Sequence, residues 1–148
     1  MKIITKEAGS NIKKTFNLLV FTQNAIIATL RLNGHSIMIN NHLGHISTCP
    51  SNLGTALHID VLVKVPLISK RTDFEAACHQ MRLKAKKIDP ESGTWEISNI
   101  DRLGYSEVTA MNFVTEGIAN IIRWEEMLEA GKNIDKEVAS CKPNKLIS

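Results

Sequence analysis

A chain of 148 residues with 43% apolar and 22% charged side chains suits one domain with a genuine core and is too short for two comfortable ones. Its net charge of +3 is small, aromatics are only 5%, and the lysines are spread out, which argues against a dedicated nucleic-acid binder with a basic, aromatic-interleaved stripe. Three cysteines without a CxxC pair argue against a disulfide scaffold and for a reducing compartment, and no segment approaches the roughly 20 apolar residues of a membrane span, so a soluble cytoplasmic protein without a membrane partner is expected.

Lys13 and Lys14 ahead of "TFNLLVF" imitate a signal peptide, but the apolar run breaks at Thr22-Gln23-Asn24. An amphipathic helix over about residues 11–32 accounts for the same residues, with Ile12, Phe16, Leu19, Val20, Ile26, Ile27 and Leu30 on one stripe. Gly9-Ser10-Asn11 start it and Asn33-Gly34 end it. "SIMIN" is a short apolar run before a turn at residues 40–44, and "GHIST" reads as a brief strand entering a Cys-Pro turn. Residues 57–65 form the clearest strand, with Leu57, Ile59, Val61, Val63 and Val65 on one face and His58, Asp60, Leu62 and Lys64 on the other.

Pro66 closes that strand, and a helix is predicted from Thr72, where Thr72 and Glu75 have capping-box spacing and Phe74, Cys78 and Met81 point inward. Residues 84–92 read as a polar loop turning at Asp89-Pro90, and "GTWEISN" as another strand. A long helix over about residues 106–130 buries Val108, Met111, Val114, Ile118, Ile121, Ile122 and Leu128, with Gly131 as its C-terminal cap. Residues 138–148 have little apolar patterning and are expected to form a flexible tail after a domain of residues 1–137. Strands and helices mix without βαβ alternation, which predicts an α+β fold.

Four places invite chemistry. Cys49 sits in a turn forced by Pro50, where Ser51 offers a hydroxyl and a backbone N–H to a thiolate; the plainer reading is a buried structural cysteine. His42, His45, Cys49 and His58 loosely match zinc spacing, but no fourth ligand is well placed, and no metal site is expected. Asp101-Arg102 lie between a strand end and a helix start, a usual place for a nucleotide, although an Asp–Arg surface pair is the commoner meaning. Lys84, Lys86 and Lys87 form a basic cluster suited to phosphate or simply to solvent.

"TCPSNLGT" followed by a strand, and "ISNIDRLGYSEV" before a long helix, resemble the C-terminal catalytic domain of the phosphagen (guanidino) kinases, the creatine kinases most of all. "EAGSNIKKTF", "NHLGHIST", "MRLKAKK" and "LEAGKNID" extend the resemblance over residues 5–135. It implies an antiparallel sheet flanked by helices, a partial catalytic domain of the glutamine-synthetase-like kind. It also implies reversible phosphoryl transfer between ATP with Mg2+ and a guanidino compound such as creatine, chemistry that rests on positioning and on cancelling phosphate charge. Cys49 matches the family's catalytic cysteine beside the guanidino group, and Asp101, Lys86 and His58 fall at nucleotide-binding positions.

The resemblance also exposes departures. His58 stands where the family has a phosphate-binding arginine, Asp60 where it has a small residue, and Leu62 where it has a nucleotide-contacting histidine. Lys86 replaces the arginine that opens a flexible glycine-rich loop, Lys87 and Ile88 replace its glycine and threonine, and the loop is shorter. A neutral histidine offers one donor where arginine offers five. The family's small N-terminal domain and the first part of its catalytic domain, with further arginines and a substrate-holding carboxylate, are expected to have no counterpart in this sequence. Two readings follow: an ATP:guanidino phosphotransferase domain, or a pseudoenzyme that keeps the scaffold and serves as an interaction or dimerisation module, with a homodimer or a creatine-kinase-like chain as partner.

Overall fold

The structure, a computed structural model, describes residues 1–141. The chain divides into two compact units, Met1–Asn40 and a second beginning at Asn41.

In the first unit, α1 (Ile12–Leu32) begins at Asn11, whose side chain accepts from the Lys14 amide at 3.0 Å. The Glu7 carboxylate ties the preceding segment to the first turn through Lys14 Nζ (2.6 Å) and Thr15 Oγ1 (3.2 Å). Ile12, Phe16, Leu19, Ile26, Ile27 and Leu30 are half-buried as their spacing predicts, whereas Val20 is exposed and no residue of α1 is fully buried. The unit ends in the two-residue strand β1 (Ile39–Asn40).

The second unit opens with β2 (Gly44–His45), shorter than "GHIST" suggests. β3 (Asp60–Lys64), β4 (Leu83–Asp89) and β5 (Thr94–Asn99) build an antiparallel sheet in the order β3-β5-β4. β3 is shorter than the predicted 57–65. Ala56 is in the left-handed region (φ +53°), and residues 57–59 are held instead by the Asn99 side chain, which accepts from Ile59 N (2.9 Å) and donates to Leu57 O (3.1 Å).

Residues 84–89 are a strand and not the predicted loop. Leu83 and Ala85 alternate with exposed Lys84 and Lys86, and β4 pairs along β5 with Lys84 opposite Ser98 and Lys86 opposite Glu96. Only residues 90–93 turn: Asp89 Oδ1 accepts from Glu91 N at 3.0 Å, and Gly93 (φ +68°) passes so close to Pro66 that an added Cβ would lie 2.5 Å from its Cα.

The odd-numbered residues of the sheet form its buried face, with Val63, Leu83, Trp95 and Ile97 in the core. α2 (Phe74–Gln80) packs against β4, and α3 (Glu107–Glu129) against β4 and β5. Phe74 meets Trp95 edge-on at 4.9 Å. Phe74, Cys78 and Met81 are buried as expected. The Thr72 capping box does not form: α2 starts after Asp73, whose carboxylate is taken by Arg71 at 2.7 and 2.8 Å.

α3 is capped by Ser106, which accepts from Thr109 N at 3.1 Å, and Gly131 follows with φ +69°. Its buried stripe is Ala110, Phe113, Val114, Gly117, Ile118, Ile121, Trp124 and Glu125. Val108 and Ile122, predicted inside, are exposed, because the stripe is centred about one residue position away and takes in both Phe113 and Trp124. Gly117 lets α3 approach β4: a Cβ there would lie 2.2 Å from Leu83 Cδ1. The fold is thus the α+β antiparallel sheet with flanking helices that the sequence implies. Within the stretch expected as a tail, Val138, Ala139 and Ser140 belong to a short helix α4 (Asp135–Ser140); residues 142–148 of that expectation lie outside the described residues.

Candidate functional site

Cys49 lies exposed at the start of a short 3-10 turn, Pro50–Asn52. Its sulfur is 2.9 Å from Ser51 Oγ, and its amide donates to Ser47 Oγ at 3.2 Å. The plainer reading of a buried structural cysteine therefore fails for Cys49. The Ser51 hydroxyl and then the Ser51 amide favour the thiolate; desolvation opposes them, the positive charge of Arg102 adds a lesser contribution, and the pKa is held below the ordinary thiol value. Cys78 is the contrast: burial, with the nearby Glu75, pushes its thiol up to about 12.

Two close backbone approaches fix the turn. Gly54 (φ +92°) donates to Leu43 O and accepts from His45 N, each at 2.8 Å, and a Cβ on it would fall 1.9 Å from Arg102 O. The next residue, Thr55, donates to that same Arg102 carbonyl at 2.8 Å.

Arg102, which the sequence offers only as half of an Asp101-Arg102 pair, is the hub of the site. Its Nη1 donates to Ser51 O (2.8 Å), its Nε to Leu57 O (3.2 Å), and its Nη2 to His58 Nδ1 (2.6 Å). Because a guanidinium only donates, Nδ1 must accept, which leaves the ring proton on Nε2, 2.9 Å from Asp60 Oδ1. A closed chain Ser51–Arg102–His58–Asp60 therefore starts beside the Cys49 sulfur and ends on the exposed face of β3.

Asp101 does not pair with Arg102. Its carboxylate takes Arg82 Nη1 at 2.8 Å, and the same guanidinium donates to the Tyr105 hydroxyl and lies over the Tyr105 ring. Arg82 itself is in the left-handed region (φ +61°). Neighbours in sequence thus serve two clusters, and the dipeptide alone gives no sign of which partner each takes. Lys86 joins neither: it stands on β4 in the row of Glu96 and Leu62, two strand spacings, roughly 10 Å, from β3. Leu62 is 66% exposed. Among the described residues no group of three or more His, Cys, Asp or Glu side chains could hold a metal ion, and no helix is long and apolar enough to cross a membrane.

An antiparallel sheet backed by helices thus carries a cysteine turn clamped to the loop that precedes the last long helix. The model of the ATP:guanido phosphotransferase C-terminal catalytic domain matches residues 1–128, and the chain belongs to that family. Within it the chain is creatine-kinase-like. It is 39% identical over 140 residues to the testis creatine kinase of Oncorhynchus mykiss, covering 91% of this chain and 37% of that protein. It is 38% identical over 142 residues to the arginine kinase of Stichopus japonicus, covering 90% and 38%. Among solved structures, lombricine kinase superposes with a TM-score of 0.85 at 33% identity, covering 89% of this chain and 38% of that one. The duplicated taurocyamine kinase of Schistosoma mansoni gives 0.72 at 31%, covering 81% and 16%. The chain thus spans little more than a third of the length of these curated relatives.

The thiol environment has a pH signature. Alkylation of Cys49 by iodoacetamide should show a midpoint below that of an ordinary thiol, and Ser51→Ala should move it upward, read as rate against pH by mass spectrometry. The depressed value means that this thiolate's contribution to stability is present above the ordinary thiol range and fades as the pH falls through the lowered value. Cys78 should stay unmodified throughout the folded range. Equal alkylation midpoints for Cys49 and a free thiol would contradict this account.

Proposed function

We propose that this chain is a creatine-kinase-like catalytic-domain segment whose phosphate-handling surface is closed on itself, so that phosphoryl transfer between ATP and a guanidino compound is lost or severely impaired. The observation that carries this reading is the Ser51–Arg102–His58–Asp60 chain. His58 stands where the resemblance puts a phosphate-binding arginine, and both of its ring nitrogens are already engaged. All three guanidinium nitrogens of Arg102 have acceptors within the protein.

The donor set fits a triphosphate poorly. Arg82 is held by Asp101, which in turn leaves the Asp101 carboxylate committed. Asp60 and Glu96 add negative charge to the exposed face that carries Lys64, Lys84 and Lys86. Mg2+ bound with ATP would supply charge cancellation at the phosphate oxygens. On this chain Lys86 would be the family-position cation nearest that task, as a point charge without the arginine fork. Loss of one clamping donor costs roughly 2.7–4 kcal/mol of transition-state stabilisation, and losses at His58, Leu62 and Lys86 together bring turnover close to background.

Purified protein given phosphocreatine and ADP in a coupled assay should not exceed the buffer blank. Turnover that disappears on Cys49→Ala would overturn the proposal. The second reading, a non-catalytic interaction or dimerisation module in the cytoplasm, draws on the edge of β3 that no strand pairs with among the described residues.

A further inference from the structure

We propose that the free edge of β3 pairs with the same edge of a second copy of this chain, antiparallel about Leu62, so that two three-stranded sheets become one. The inference stands whether or not phosphoryl transfer survives. β3 is hydrogen-bonded to β5 on one side, and among the described residues no strand pairs with its other side. Val65 N donates to Gly93 O at 2.9 Å, in continuation of the β3–β5 register. Residues 61, 63 and 65 therefore turn their amides and carbonyls toward β5, and those of Asp60, Leu62 and Lys64 face the open edge. A two-fold axis through Leu62 sets these three outward-facing residues opposite one another, which is the arrangement an antiparallel ladder needs.

The side chains select the same register. Asp60 of one copy falls opposite Lys64 of the other, and Lys64 opposite Asp60, so both charges are paired across the seam. His58 holds only Oδ1 of Asp60, at 2.9 Å, and orients the carboxylate. Leu62, exposed to 66% between these charges, meets its own copy, and Val61 meets Val63 on the buried face. A slip of two residues would set Asp60 against Leu62 and leave charges unmatched. A slip of one would bring residues bonded to β5 against the open edge.

The other edge of the sheet is built differently. β4 carries Lys84, Lys86 and Lys87 and an irregularity between Lys87 and Asp89, features that discourage pairing. Self-pairing about its middle would set Lys86 against Lys86. One edge is therefore protected and the other is self-complementary.

Sedimentation equilibrium of the full chain, from low- to high-micromolar loading, tests this. The wild type should approach twice the 16.4 kDa chain mass as concentration rises. Asp60→Lys and Lys64→Asp should each raise the dissociation constant about tenfold or more, since two attractive pairs become repulsive. The double variant D60K/K64D, which restores both pairs with the signs exchanged, should recover most of the affinity. Leu62→Lys, with like charges on the axis, should abolish association. All three positions of change are exposed, and circular dichroism checks that each variant is folded. A wild type that stays monomeric at the highest loading overturns the proposal. So does a dimer indifferent to L62K and to both single charge variants, which would place the contact elsewhere, or a double variant no better than the singles.

Discussion

Glu125→Ala lowers the unfolding free energy by about 3–5 kcal/mol in urea denaturation followed by tryptophan fluorescence. Glu125 is only 6% exposed on α3, yet its carboxylate is satisfied: Oε1 accepts from Leu67 N and Oε2 from Ile68 N, each at 2.8 Å. Those amides open the 3-10 turn Ile68–Lys70 and have no carbonyl of that turn to bond. The glutamate therefore does for this turn, from a distant helix, what an N-cap residue does locally, and it anchors the segment after β3 to α3. Alanine leaves two buried donors unpaired. Glu125→Gln keeps one accepting oxygen and turns an NH2 toward the other amide, so it should cost about half as much. With domain stabilities of about 5–15 kcal/mol, the alanine variant sits near the limit of folding. A loss under about 1 kcal/mol would show that these bonds contribute little.

Gly54→Ala has the second large effect, and it acts on the site. The residue is at φ +92°, and its Cβ would lie 1.9 Å from Arg102 O and 2.6 Å from Arg102 C, both main-chain atoms that cannot swing aside. Left-handed backbone costs about 1–2 kcal/mol in an L-residue, and overpacking typically adds about 1–3 kcal/mol. The structure has to relieve this by moving residues 49–55 away from the Asp101–Arg102 loop. That movement breaks the Thr55–Arg102 bond and draws the Arg102 guanidinium off Ser51 O. Two readouts should change together: stability falls by about 2–5 kcal/mol, and the Cys49 alkylation midpoint rises, by less than in Ser51→Ala, because the Arg102 charge is the least of the effects that lower it. A destabilised variant with an unchanged Cys49 midpoint would separate the turn from the loop and contradict the coupling.

Much of the fold is legible from patterning, for reasons that particular residues make plain. Strict alternation from Leu57 to Val65 and the "GTWEISN" run each report a half-buried strand, and Ser106 and Gly131 punctuate α3 where their chemistry demands. β4 is hidden because Lys87 stands on its inward face and Ile88 on its solvent face, so the alternation breaks and Leu83 and Ala85 give too little apolar signal to mark a strand. Val108 and Ile122 look inward from the sequence because Ala110, Gly117 and Glu125, which take the inward positions, do not resemble core residues. For Glu125, burial is possible only through two amides far away in sequence.

The site was legible in composition and not in wiring. "TCPSNLGT" announces Cys49 and Ser51, and their contact is local, two residues apart. The partners of Arg102, at Ser51, Leu57 and His58, lie more than forty positions away, and Asp101 turns instead toward Arg82. Adjacent residues on a loop point in different directions, and only the folded chain decides between pairing with each other and pairing elsewhere. His58, Asp60 and Leu62 are visible as departures from a family pattern, but the joining of His58 and Asp60 to Arg102 in one chain, on a strand whose second edge no described residue pairs, is a property of three dimensions.

The central claim is that Arg102, His58 and Asp60 satisfy one another and leave no clamp for a triphosphate. Isothermal titration of the wild-type chain with Mg2+ and ATP tests it most directly. The account predicts no saturable heat across the micromolar range, and no gain in thermal stability from the nucleotide. Saturable binding with a dissociation constant in the micromolar range, weakened by Lys86→Ala or Asp101→Asn, would contradict it.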